Sequence, residues 1–131
     1  MILLRGGRQI RLILRFRRTA VASIEAFEEE GILDHARMLG RDVLGPGLAQ
    51  LAEAHPSVGE VRGLGVFWAL ELVRDRGTRE PLVPFNAAGP DAAPMKAVIG
   101  ACVERGVVPF AAMNRLNVVP PVNTPVDDVK Q

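Results

Sequence analysis

Tyrosine is missing from this sequence, and tryptophan, cysteine and lysine are nearly so. Its 131 residues include one Trp, five Phe and a single cysteine, Cys102. So few aromatics leave no row of stacking platforms for single-stranded nucleic acid. One thiol excludes an internal disulfide, and a reducing cytoplasm is the simpler setting for it. No run of about 18 uncharged apolar residues occurs, so no membrane-spanning helix is expected. The only lysines are Lys96 and Lys130. A Schiff-base lysine needs a buried place beside a cofactor. Lys96 falls in the first turn of a helical pattern and Lys130 is penultimate, so neither has that setting. His35 and His55 lie far apart with no Cys or paired carboxylate at ligand spacing, so no metal site is expected. A Gly-x-Ser-x-Gly elbow and a Ser/His/Asp trio are also lacking. The residues themselves offer no catalytic group.

What is present is unevenly spread. The formal charge is +1, yet residues 1–18 carry six arginines and no acid, while ten cationic side chains face fifteen acidic ones from residue 19 onward. The chain therefore divides into a basic arm, 1–18, expected to be irregular and outside the fold, and a mildly acidic body, 19–131. Ile10, Leu12, Leu14 and Phe16 alternate with Arg11, Arg15 and Arg17, which breaks any secretory h-region and suits strand addition at an edge.

The body begins with a helical pattern over residues 19–30, with Ala20, Ile24 and Phe27 on one face and Gly31 as its stop. Glu28, Glu29 and Glu30 stand where the helix dipole disfavours negative charge. A second helix spans Ile32 to about Leu44 and resumes at Leu48, and the intervening Gly45-Pro46-Gly47 predicts a kink or break. Residues Val58 to Val73 turn to β: Val66, Trp68, Leu70 and Leu72 form an apolar face, opposite Phe67, Ala69, Glu71 and Val73. Trp68 is expected in the core. Residues 74–94 hold four prolines and two glycines and read as a long ordered loop, whose arginines form a solvated charge cluster. A helix follows from about Pro94 to Arg105, with Asp91 as its N-cap and Met95, Val98, Ile99 and Cys102 as its apolar stripe. Short strands come next, near 107–111 and 116–119, and the run Thr124 to Asp128 announces a last helix, with three residues left in the chain. The fold class is α+β, with a three-stranded, largely antiparallel sheet packed with helices.

Gly63-Leu64-Gly65 lacks the third glycine and the strand-to-helix setting of a dinucleotide loop, so close backbone approach is the better reading. Arg62, Gly63 and Gly65 are placed in a structural turn.

Five strings in order resemble the C-terminal small domain of class III aminotransferases: Glu28-Glu29-Glu30-Gly31, Val61-Arg62-Gly63-Leu64-Gly65, Asp75 through Pro81, Glu104-Arg105-Gly106 and Val118-Val119-Pro120-Pro121. The match covers about residues 19–131. The resemblance implies a fold-type-I transaminase that moves an amino group between an amino donor and an oxo acid. It further implies a homodimer, with pyridoxal phosphate held by a large domain whose lysine, aspartate and phosphate-binding residues have no counterpart here. The small domain closes over that site. The positions ten and three residues before the Pro-Pro pair, where relatives often carry a carboxylate-binding arginine, are Phe110 and Asn117; Arg115 is the nearest arginine. These three are the expected substrate-proximal residues. The resemblance makes the chain a fragment without its last helix, inactive alone and binding no cofactor by itself. Its partners would be the large domain and a second subunit, with no nucleic acid and no membrane. Two rival readings are a stand-alone small-molecule-binding or regulatory module, and a binder of anionic surfaces through the basic arm.

Overall fold

The computed structural model describes residues 6–130, and the side chains from residue 17 onward. The chain forms two compact units, parted between Asp34 and His35. The first is dominated by helix α1, Gly6–Glu29. Residues 6–18, expected to be irregular, are helical instead: Arg, Leu and Gln are good helix formers, and no proline interrupts them. The alternation seen at positions 10–16 was thus no guide to strand structure. Met1–Arg5 of the expected arm lie outside the described residues. Gly31, at φ 62°, supplies the left-handed turn that ends this stretch.

Helix α2 runs Ile32–Met38, a π-helical turn follows at Leu39–Leu44, and α3 occupies Gly45–Ala54. The expected break at Pro46 is absorbed by this wider turn. Pro46 lacks an N–H and would crowd the carbonyl four residues back in an α-helix. The π turn instead bonds Gly45 N–H to Gly40 O, and Pro46 enters the first turn of α3, where no donor is required.

Strands β1 (Val58–Leu64) and β2 (Phe67–Asp75) form an antiparallel hairpin turning at Gly65-Val66. Strand β3 (Glu80–Pro81) pairs with the end of β2. A 3-10 turn at Gly89–Ala92 leads into α4, Ala93–Glu104; Pro94 is in its first turn, and Asp91 lies within the 3-10 turn rather than capping the helix. Then come β4 (Phe110–Ala112), β5 (Arg115–Val118) and one helical turn, α5 (Val126–Val129). The α+β class holds, but the sheet has five strands rather than three. The run 58–73 is a hairpin, not one strand, because Gly65 at φ 54° reverses it, and β3 adds the fifth. The main order is β1-β2-β5-β4, all antiparallel.

Two apolar clusters fill this second unit. One joins Val58, Leu70, Leu72, Val83 and Met95, with Val98, Ile99 and Leu116 packed on it. The other centres on Leu39, fully buried, with Leu44 and Val66. Trp68 is half-buried rather than enclosed; it lies against the second cluster and donates its indole N–H to Gly65 O at 2.7 Å. Gly40 and Gly65 meet backbone to backbone, and a Cβ on Gly40 would overlap the Gly65 carbonyl oxygen. Gly63 lies as closely beneath the Trp68 ring. The close-approach reading of these glycines stands, although Gly63 and Arg62 sit in β1 and only Gly65 is in the turn.

The loop arginines act locally. Arg76 donates to the carbonyls of Ala52, His55 and Val58, tying the end of α3 to β1. Asp75 accepts from the Thr78 N–H at 2.7 Å and from its hydroxyl at 3.2 Å, and these bonds hold its carboxyl below the usual aspartate range.

Two outcomes follow from these contacts. Gly40→Ala should destabilise the chain by ~1–3 kcal/mol, since backbone cannot step aside as a flexible side chain can; a denaturant midpoint equal to wild type would refute the contact. For Asp75, the folded pKa is depressed, so its stabilisation is full above the unfolded pKa and fades as pH falls through the folded one. The Thr78 amide resonance should therefore titrate with a midpoint below the ordinary aspartate value, and Asp75→Asn should abolish that step.

Candidate functional site

Within the second unit, both apolar clusters lie on one side of the sheet. Leu70 and Leu72 of β2, Val61 of β1, and Leu116 and Val118 of β5 point into the clusters, on the side that bears α3 and α4. Since side chains alternate along a strand, their neighbours must emerge on the other face. Cross-strand register sets them in two rows. Arg62, Ala69, Asn117 and Phe110 form one; Glu60, Glu71, Arg115 and Ala112 form the other. The result is an open concavity of about 750 Å³, lined by Arg62, Leu64, Phe67, Phe110, Arg115 and Asn117 among others.

Phe110, Arg115 and Asn117, expected from sequence near a substrate, thus share one surface. The structural-turn residue Arg62 joins them there, which its place in a turn did not foretell. Leu64 (87% exposed), Phe67 (60%) and Phe110 (71%) leave much apolar area in water. The signal for Phe67 was already in the β2 alternation; Leu64 and Val119 had none, because their face depends on cross-strand register.

The two guanidinium groups on this face differ. Arg62 is paired with Glu71 across the hairpin and stands 3.5 Å from Glu60. Arg115 is half-buried and, among the described residues, takes part in no ion pair. Asn117 donates its amide to Phe110 O at 3.1 Å, which orients it along the β4–β5 edge. A positive charge on a largely apolar surface, with an oriented amide beside it, is suited to hold an anionic group.

No buried polar or charged residue occurs among the described residues, and none of their His, Cys, Asp and Glu form a metal-binding group. His35 instead hydrogen-bonds Thr124 O at 2.8 Å. Cys102, expected in the core, is a half-buried free thiol. No described helix is long and apolar enough to cross a membrane.

The same architecture occurs within aminotransferases. The taurine:2-oxoglutarate aminotransferase of Bifidobacterium kashiwanohense, solved with PLP and glutamate, superposes with a TM-score of 0.75 at 25% identity, over 84% of this chain and 24% of that one. The omega transaminase of Pseudomonas jessenii gives 0.67 at 31% identity, over 81% and 22%. In sequence, the taurine–pyruvate aminotransferase of Rhodobacter capsulatus is 38% identical over 105 residues, 80% of this chain and 20% of that enzyme. The 4-aminobutyrate aminotransferase of Escherichia coli is 40% identical over 68 residues, 52% of this chain and 16% of its own length. No family model matches the chain. The chain is a homologue of the class III aminotransferases, a pyridoxal-phosphate-dependent family, and spans about a fifth of the length of the curated relatives it matches, a share that fits their small domain.

The residues present do not fit covalent capture of that cofactor. Lys96 and Lys130 are both exposed, with neither the enclosure nor the buried polar partners that a Schiff-base lysine requires.

The open face has a direct readout. The chain should enhance the fluorescence of an apolar dye, and Phe67→Ser with Phe110→Ser should lower that enhancement at least about twofold while leaving stability within ~0.5 kcal/mol per site. Unchanged dye binding in this variant would place the exposed apolar surface elsewhere.

Proposed function

We propose that this chain is the substrate-closing domain of a pyridoxal-phosphate-dependent transaminase, able to complete an active site but not to run one. The observation that carries the reading is the convergence of Phe110, Arg115 and Asn117 on one open concavity of the sheet. A large cofactor domain would cover that face, a second subunit would complete the enzyme, and a reducing cytoplasm is the setting that suits its lone free thiol. When bound there, pyridoxal phosphate supplies the electron sink for exchange between an amino donor and an oxo acid.

This chain's own residues would then do three things. Phe110, Phe67 and Leu64 exclude water from the donor side. Arg115 meets an anionic end of the donor or acceptor, such as a carboxylate or sulfonate; relatives named for taurine and 4-aminobutyrate carry ends of both kinds. Asn117, fixed by its bond to Phe110 O, orients that end. Arg62, neutralised by Glu71, keeps the strand edge in register rather than binding an anion.

Alone, the chain should form no stable adduct with the cofactor. Incubation with pyridoxal phosphate, borohydride reduction and intact-mass analysis should show no stoichiometric mass increase. One specific adduct at Lys96 would overturn the assignment, and so would transaminase turnover by the purified chain.

A further inference from the structure

Two bases and two acids stand on the outer face of β1, β2 and β5, and they are shared out unevenly. Arg62 takes both acids: it is paired with Glu71 and stands 3.5 Å from Glu60. Among the described residues, Arg115 pairs with neither.

Strand register alone favours a different arrangement. The two residues directly opposite Glu71 are Glu60 on β1 and Arg115 on β5, whereas Arg62 is opposite Ala69 and reaches Glu71 along a diagonal. Directly opposed side chains start closer together than diagonal ones, so like charges repel there and unlike charges attract. Both neighbours of Glu71 thus press it toward Arg115, Glu60 by repulsion and Arg115 by attraction. Arg62 outweighs them. It draws the two acids together on the β1 side, and the signs separate: Arg62 and Arg115 line the concavity of about 750 Å³, while Glu60 and Glu71 line a second hollow of about 330 Å³. Arg76, which also lines that second hollow, is committed to the carbonyls of Ala52, His55 and Val58.

We propose that Arg62 is a positioning residue of the anion site: by holding Glu71 it keeps a carboxylate off Arg115, and so leaves Arg115 to an anionic ligand. The inference rests on the role given to Arg115 above and adds a specificity determinant to it. With a neutral side chain at 62, Glu60 repels Glu71, and Arg115 is the base directly across the sheet that receives it. A carboxylate or sulfonate must then displace an acid already in place. Exposed ion pairs contribute little to stability, so this exchange of partners leaves the fold intact while it closes the site to anions.

The test follows the Arg115 Nε–H resonance of the isotope-labelled full chain during titration with methanesulfonate at constant ionic strength. The parent should show a saturable shift. Arg62→Met should weaken binding at least about fivefold, and its Arg115 resonance should already be displaced before ligand is added. Arg62→Lys, which can still hold Glu71, should bind like the parent. Arg62→Met/Glu71→Gln should recover binding to within about twofold of the parent, because no acid is left to occupy Arg115. Arg62→Met/Glu60→Gln has the same net charge but keeps Glu71, and should stay weak. An edge-stabilising role for Arg62 alone would not be rescued at position 71. Unchanged Trp68 emission in each variant would show that the sheet remains folded. A parent without a saturable shift overturns the anion-binding reading of Arg115 and this inference with it. A parent that binds, alongside an Arg62→Met variant that binds equally well, overturns the inference alone, as does a rescue by Glu60→Gln equal to that by Glu71→Gln.

Discussion

Strand β2 is hydrogen-bonded on both edges, and every other feature of the second unit is arranged around that. Its partners β1 and β5 fix its register to the residue. Once register is fixed, the two-residue period leaves no freedom: Leu70 and Leu72 must face the helices, and Phe67, Ala69 and Glu71 must face away. A slip by one residue would bury Glu71 and expose Leu70. The large gain from burying Leu70 and Leu72 therefore also determines which residues make up the open face.

The helices are held to this sheet at two points of different character. At one, Gly40 and Gly65 remove side chains so that backbones can touch, and Trp68 closes over the contact with its hydrogen bond to Gly65 O. At the other, Arg76 gathers three carbonyls from the end of α3 and the start of β1, answering acceptors that helix termination leaves open. Packing serves one site and charge-assisted hydrogen bonding the other. The π turn at Leu39–Leu44 brings both within reach, since it delivers Gly40 to the sheet while letting Pro46 begin α3 without strain.

Much of this was legible in the sequence, and the misses have physical causes. Local patterns located the helices at 32–54 and 93–104, the alternation in β2 and the close-approach role of Gly63 and Gly65. The two strands of the hairpin fall within one β stretch in the sequence reading, because only 66–73 shows clear alternation and 58–64 has no period of its own. Residues 6–18 misled through a period close to two, which the helix-forming tendency of Arg and Leu outweighs. Arg62 was placed in a turn, since sequence gives spacing along a strand but not which strand lies across from it. The family resemblance singled out Phe110, Arg115 and Asn117, and the register shows why they travel together: Phe110 pairs with Asn117, and Arg115 lies one step along the same face.

The one-sided sheet also separates two demands that compete in most binding sites. The two apolar clusters draw on one face of the sheet, and most of the side chains lining the concavity stand on the other. A substitution at 64, 67 or 110 removes little that is buried, whereas one at 70 or 72 opens the core. The face can therefore exchange apolar for polar or cationic for neutral side chains while the scaffold beneath stays the same. Such a surface is free to drift from one ligand chemistry to another within a single lineage.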